Sequence, residues 1–134
     1  MTNNHDSWLI TPRFLMRKNA INSILKSLNP KNKQCLEIGF CAGEILKLLA
    51  SNGAHVTGFD FSADAVKFAQ NRISDFKYKI NISITTNIDK IKHASFDIVL
   101  AFEVLEHIED DNMVFTQWLN YLKPGGSLIL SVPA

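Results

Sequence analysis

Cysteine is scarce in this chain, with two in 134 residues, Cys35 and Cys41. They do not form a Cys-x-x-Cys pair, so the ligand spacing of a structural zinc site is missing. Cys35 opens an apolar, strand-like run and Cys41 sits in the glycine turn after it. Strand and turn diverge, so no disulfide is expected between them. Long hydrophobic runs are missing as well: no stretch approaches the roughly eighteen apolar residues of a membrane-crossing helix. Nor does charge of one sign dominate, since Lys+Arg 14 against Asp+Glu 13 leaves a net charge of +1. Bulk electrostatics therefore offers a polyanion nothing, and no DNA partner is expected. Arg13, Arg17, Lys18 and Lys26 do crowd one N-terminal segment, a run that reads as a solvated helix face. Met1 to Asp6 contain no basic stretch leading into an apolar one, and the expected location is cytoplasmic. Repeats and low-complexity tracts are absent.

What remains is ordinary globular composition, 46% hydrophobic and 20% charged, in a chain long enough for one domain with a real core. Residues 1–30 read as an N-terminal helical segment. Thr11-Pro12 is a helix start, Phe14, Ala20, Ile21, Ile24, Leu25 and Leu28 recur at helical spacing, and Asn29-Pro30 stops the helix. From residue 31 to 134, strand and helix patterns alternate. Gln34 to Ile38 is the first strand. A helix from about Gly43 carries Ile45, Leu46, Leu48 and Leu49 and ends at Asn52-Gly53. His55 to Asp60 is the second strand, and Ser62 caps a helix that buries Val66, Ala69 and Ile73. Tyr78 to Thr85 alternates, with Ile80, Ile82 and Ile84 on one face, as a strand near an edge does. Phe96 to Phe102 is almost unbroken apolar sequence, as in a central parallel strand covered on both faces. A helix over about Asp111 to Leu122, with Val114, Trp118 and Leu122 in line, is turned by Lys123-Pro124-Gly125-Gly126 into a fifth strand, Ser127 to Val132. This alternation predicts an α/β fold: a doubly wound, Rossmann-like, mostly parallel sheet with helices on both faces.

One pairing carries most of the functional information. Cys35-Leu36-Glu37-Ile38-Gly39-Phe40-Cys41-Ala42-Gly43 runs a strand into a glycine turn and a helix, and Asp60 closes the next strand about twenty residues later. That is the geometry of a nucleotide-type ligand held across the carboxyl ends of parallel strands. A dinucleotide loop places a glycine where the pyrophosphate presses on the backbone. Here that position is Cys41, whose side chain crowds a pyrophosphate, and the negative Glu37 just before the turn repels one. An acid at position 37 suits a ligand with a cationic end, an amino group or a sulfonium. Asp60 suits a ribose, because a carboxylate accepts hydrogen bonds from both hydroxyls.

Leu36 to Gly43 resembles motif I of the class I S-adenosylmethionine-dependent methyltransferases, and Gly58-Phe59-Asp60-Phe61-Ser62 resembles their second motif. Ser95-Phe96-Asp97-Ile98-Val99, Glu103-Val104-Leu105-Glu106-His107, and Leu122-Lys123-Pro124-Gly125-Gly126 with Leu128 to Pro133 match the later signatures in order and spacing. The similarity runs over roughly residues 8–134 and departs from the family at Cys41, where Gly is usual. It implies the strand order 3-2-1-4-5-7-6, of which five strands are visible, so the sheet reads as truncated after its fifth strand. That strand would be an apolar edge, and a further segment or another chain is expected to cover it. The implied cofactor is S-adenosyl-L-methionine and the implied partner a small-molecule methyl acceptor. By the resemblance, Gly39, Cys41 and Gly43 pass their backbone against the methionine half of the cofactor, Glu37 faces its amino-acid end, Asp60 takes the ribose, and Phe102 lies beside the methionine moiety. Phe61 is either an adenine platform or a core phenylalanine. Asn87 either reaches the adenine amino group or serves a turn. Arg13 resembles an arginine that pairs with the cofactor carboxylate in quinone-pathway O-methyltransferases, and Trp8 is either part of a lid or a core anchor.

Methyl transfer from a sulfonium needs alignment and water exclusion, and needs a base only if the acceptor must lose a proton. Glu103 and His107 are the catalytic candidates, with His107 as general base. With Glu106 they also resemble the metal-binding segment of small-RNA terminal 2′-O-methyltransferases, in which a divalent ion lowers the pKa of an acceptor hydroxyl. An orienting or capping role is the third reading of the same residues. The leading function is thus a small-molecule methyltransferase. The alternatives are a metal-dependent RNA 2′-O-methyltransferase and a non-catalytic module or subunit that keeps the cofactor fold. A nicotinamide dehydrogenase is disfavoured by Glu37 and Cys41.

Overall fold

A computed structural model of the chain describes residues 19, 22–40, 43–102 and 111–131. Thr11-Pro12, Trp8, Arg13, Cys41 and the Glu103/Glu106/His107 set lie outside the described residues. Helix α1 covers residues 22–28, followed by β1 (Gln34–Ile38), α2 (Glu44–Ser51), β2 (His55–Phe59), α3 (Ala63–Ile73), β3 (Ile82–Thr85), β4 (Phe96–Phe102), α4 (Asp111–Tyr121) and β5 (Leu122–Ser131). The five strands form one parallel sheet, as the alternation predicts, in the order β3-β2-β1-β4-β5 that the resemblance implies.

Strand residues point alternately to the two faces of a sheet, which gives this one two cores. On one face Cys35, Val56, Ile98 and Leu100 pack against Ile45, Leu46 and Leu49 of α2, Ala65 and Ala69 of α3, and Leu25 of α1. On the other, Leu36, Ile38, Phe59, Val99 and Ala101 pack against Trp118 and Tyr121 of α4 and against Ile91. Sequence spacing places Ile24 of α1 with the core-facing set, but it is exposed while Leu25 is buried. Burial pushes the Cys35 thiol up to about 12, with the Asp97 carboxylate adding to the effect, so this thiol is an inert part of the core.

The local chemistry places the helix ends. Gly53, with φ +89°, terminates α2. Ser62 caps α3: its Oγ accepts from the Ala65 backbone N at 3.2 Å. Ser62→Ala removes that bond, and the expected result is a loss of about 1 kcal/mol of stability in urea unfolding.

Three boundaries differ from the sequence expectation, the smallest being the end of β2, at Phe59 rather than Asp60. The third strand begins at Ile82, not Tyr78, because Lys79–Asn81 forms a 3-10 turn and leaves Ile80 90% exposed. The alternation of Ile80, Ile82 and Ile84 continues past the point where a partner exists. Ile82 pairs with Val56, near the start of β2, and residues before it have little strand to pair with. The helix α4 stops at Tyr121, and Leu122 already pairs with Phe96. Pairing resumes at Ser127 opposite Ile98, so Lys123, Pro124, Gly125 and Gly126 stand against the single residue Asp97. Lys123 reaches that residue's carboxylate at 3.5 Å.

Candidate functional site

The carboxyl ends of β1, β2, β3 and β4 lie along one rim of the sheet, where an open parallel sheet with helices on both faces forms its ligand crevice. At Gly39 (φ +70°) the chain leaves β1, and its N–H donates to the Phe59 carbonyl at 2.8 Å, tying the bend to the end of β2. Phe40 then folds inward and is buried. Gly43 (φ +84°) donates to the Phe40 carbonyl at 2.9 Å and opens α2. The left-handed backbone at both positions suits glycine. The first-turn acid of α2, Glu44, is held by Arg72 at 3.1 Å and Lys47 at 3.5 Å.

Among the described residues Glu37 is the charged residue that the fold buries, at 2% exposure. It pairs in register with Gly58 of β2 and Leu100 of β4, so the sheet surrounds it on both sides. Its Oε1 has no hydrogen-bond partner among the described residues. Burial holds its carboxyl well above the usual carboxylate range, and the nearby negative charge of Asp60 pushes it further in the same direction.

Asp60 follows β2 and is half-buried. Its N–H donates to the Thr85 carbonyl at 3.2 Å, and its Oδ1 accepts from the Ser62 N–H at 2.9 Å, which orients the carboxylate. Phe61 is 81% exposed and meets Phe59 edge-to-face, with ring centroids 4.7 Å apart. The core-phenylalanine reading of Phe61 is therefore excluded. Asn87 lies past β3, where its Oδ1 accepts from the Asp89 N–H at 3.0 Å and caps a 3-10 turn, which accords with the turn reading. Phe102 ends β4, half-buried and packed on the α2-side core.

Glu37, Gly39, Gly43, Asp60 and Phe61 thus cluster about the ends of β1 and β2, with Asn87 and Phe102 at the ends of the flanking strands. Gly58, inside β2, supports them through packing. A Cβ there would stand 2.8 Å from Phe40 Cδ2 and 3.1 Å from Leu46 Cδ1. The sequence signal is a glycine inside an apolar strand, which marks a close approach. Among the described residues no three His, Cys, Asp or Glu side chains gather as a metal site, and no helix is long and apolar enough to cross a membrane.

Residues 36–130 match the family model described as a methyltransferase domain. The chain belongs to the class I S-adenosylmethionine-dependent methyltransferases. The ubiquinone biosynthesis O-methyltransferase of Coxiella burnetii is 31% identical over 121 residues, 90% of this chain and 52% of that protein. The protein of the same description from Idiomarina loihiensis is 33% identical over 102 residues, 74% of this chain and 42% of that one. The chain therefore spans about half the length of the curated relatives it matches. Among solved structures, Haemonchus contortus phosphoethanolamine N-methyltransferase 2, in complex with phosphomonomethylethanolamine and S-adenosylhomocysteine, is similar with a TM-score of 0.73 and 27% identity, over 84% of this chain and 27% of that one. A Methanococcus maripaludis methyltransferase structure shares the fold, with a TM-score of 0.75 at 23% identity over 82% of this chain and 52% of that one.

The family's cofactor combines an ammonium and carboxylate, a sulfonium and an adenosine. The rim residues fit that group. A buried carboxyl with an unpartnered oxygen suits the cationic part, a carboxylate oriented at the end of β2 suits a diol, and an exposed ring stands beside it.

Proposed function

We propose that this domain binds S-adenosyl-L-methionine at the carboxyl rim and serves methyl transfer to an oxygen of a small-molecule acceptor, of the kind handled in ubiquinone biosynthesis. The observation that carries the reading is Glu37, a carboxyl buried at the end of β1 with an oxygen that nothing among the described residues satisfies. A buried polar atom without a partner costs about 1–3 kcal/mol, and a cationic ligand would remove that cost. The 31% identity to a ubiquinone biosynthesis O-methyltransferase supports the acceptor class.

In this reading Glu37 attracts the amino-acid end of the cofactor. The backbone of Gly39, Cys41 and Gly43 lets the methionine half approach, and Arg13 pairs with its carboxylate. Asp60 accepts from the two ribose hydroxyls. Phe61, already fixed against Phe59, offers a face to the adenine, with Asn87 at the adenine edge and Phe102 beside the methionine chain. The cofactor supplies a methyl group on an activated leaving sulfur, so the acceptor oxygen need only be aligned behind that carbon and relieved of its proton. His107, with Glu103, takes that proton.

The test is thermal unfolding with S-adenosylhomocysteine, with NAD, and with neither. A ligand at a hundredfold excess over its dissociation constant stabilises by about 2.7 kcal/mol. Protection by S-adenosylhomocysteine and none by NAD is expected, and the opposite pattern removes the reading. Transfer of labelled methyl to a hydroxylated aromatic acceptor, undiminished by a chelator, is expected of the full protein. A requirement for a restored divalent ion would move the assignment to a metal-assisted mechanism.

A further inference from the structure

Glu37 poses a question that cofactor recognition does not answer: which protonation state waits for the ligand. Cys35, two residues back on the same strand and face, is a neutral thiol in the same core. The flanking strand partners are Gly58 and Leu100, neither of them titratable. From α2, Glu44 and Lys47 are paired with each other, and Glu44 also holds Arg72 of α3. The rest of the α2 and α3 surface turned to this core is apolar: Ile45, Leu46, Leu49, Ala50, Ala65 and Ala69, with Leu48 and Val66 at its edge. The described surroundings therefore present one charged group to Glu37, the carboxylate of Asp60, and it has the wrong sign to hold a second anion. A carboxyl at 2% exposure with an unpaired oxygen, no cation beside it among the described residues and an acid nearby favours the neutral acid.

We propose that the rim takes up its ligand with loss of a proton from Glu37, so that an ammonium group entering beside the carboxyl exchanges for that proton. The inference rests on the reading of the rim as the S-adenosylmethionine site. The balance is simple: the neutral acid gives its proton to buffer, and the carboxylate left behind pairs with the ligand's own positive charge. Two consequences follow. Affinity for an amine-bearing ligand rises with pH, because the free protein holds a proton that the complex lacks, and the limiting slope is about tenfold per pH unit. Nucleosides lacking the amino-acid tail gain nothing from ionising Glu37, so they bind with no such slope. The rim thereby selects for the charged tail at the moment of ionisation.

The experiment is isothermal titration calorimetry of the chain with S-adenosylhomocysteine at pH 7, below the titration of the ligand's amine, in phosphate and in Tris. The difference in observed heat between the buffers counts the protons released. Net release of protons is expected for the parent protein. Release close to zero is expected with 5′-methylthioadenosine, which has no amine, and with Glu37→Gln, whose folding circular dichroism checks. Should Glu37→Gln not fold, the comparison of the two ligands on the parent protein decides alone. Binding of S-adenosylhomocysteine with no proton released, or equal release with both ligands, overturns the proposal while leaving the cofactor reading intact. Failure of both ligands to bind overturns the cofactor reading itself.

Discussion

Asp60→Ala is expected to weaken S-adenosylhomocysteine binding by roughly 30- to 1000-fold, the largest loss from any single change at the rim. Hydrogen bonds to a charged group contribute about 1.5–3 kcal/mol each, and a ribose diol would offer the carboxylate two. The two bonds do not add fully, so a total of about 2–4 kcal/mol is the reasonable figure. The fold should survive. The variant gives up only the bond that Asp60 Oδ1 accepts from the Ser62 N–H, worth about 1 kcal/mol, and the Ser62 cap on α3 remains. Asp60→Asn separates charge from shape. It keeps the side-chain volume and an acceptor for the Ser62 N–H but removes the negative charge that acts on Glu37. Glu37 should then ionise more readily, and the pH dependence of binding should move to lower pH even as affinity falls. Titration calorimetry at two or three pH values reads both effects. An unchanged dissociation constant for Asp60→Ala would remove the ribose assignment.

How far the residues themselves announce this arrangement differs from element to element. β1 and β4 are bounded in the structure where the sequence places them, at Gln34–Ile38 and Phe96–Phe102. Both are mostly apolar runs in the middle of a parallel sheet, each broken by one acid, Glu37 or Asp97, and punctuation at each end leaves them one way to fit. The Ser62 cap and the Gly53 stop are equally local, each set by one residue's chemistry. The third strand is not legible in the same way. Ile80 continues the period-two pattern, and only the limited reach of β2 shows why it stands in solvent. The boundary between α4 and β5 moves for a related reason, because Leu122 fits the helical stripe but is claimed by pairing with Phe96. At the site, a strand-end acid can be read from the sequence, whereas its burial cannot. Glu37 is enclosed because its neighbours in register are Gly58 and Leu100, which is a fact of tertiary pairing. The sequence alone does not separate core from platform for Phe61, whose exposure is likewise set by which way the chain turns after β2.

The second large effect is expected at Gly58. Gly58→Val should destabilise the domain by about 3 kcal/mol or more, a large part of the roughly 5–15 kcal/mol that a domain has to lose. Its backbone is in no region reserved for glycine, so strain of φ is not the cause. The obstacle is packing. A first side-chain carbon would already lie 2.8 Å from Phe40 Cδ2 and 3.1 and 3.2 Å from the two methyl groups of Leu46. Neither neighbour can retreat, since Leu46 is wholly enclosed and Phe40 is 1% exposed. Gly58→Ala is the gentler probe. Reduced freedom of the unfolded chain returns about 0.4–1 kcal/mol, against about 1–3 kcal/mol of crowding, so a net loss of about 1–2 kcal/mol should shift the urea midpoint. The folded fraction then carries a second signal. Phe40 follows Gly39 directly, and its carbonyl accepts from Gly43, so a displaced ring moves the turn that is proposed to face the cofactor. Gly58→Ala should therefore bind S-adenosylhomocysteine several-fold more weakly than its stability loss alone accounts for. Phe40→Leu in the same chain should restore part of the stability by freeing space over residue 58. A double-mutant cycle on the two positions measures that coupling, and a coupling near zero would show that the ring and the strand glycine do not support each other.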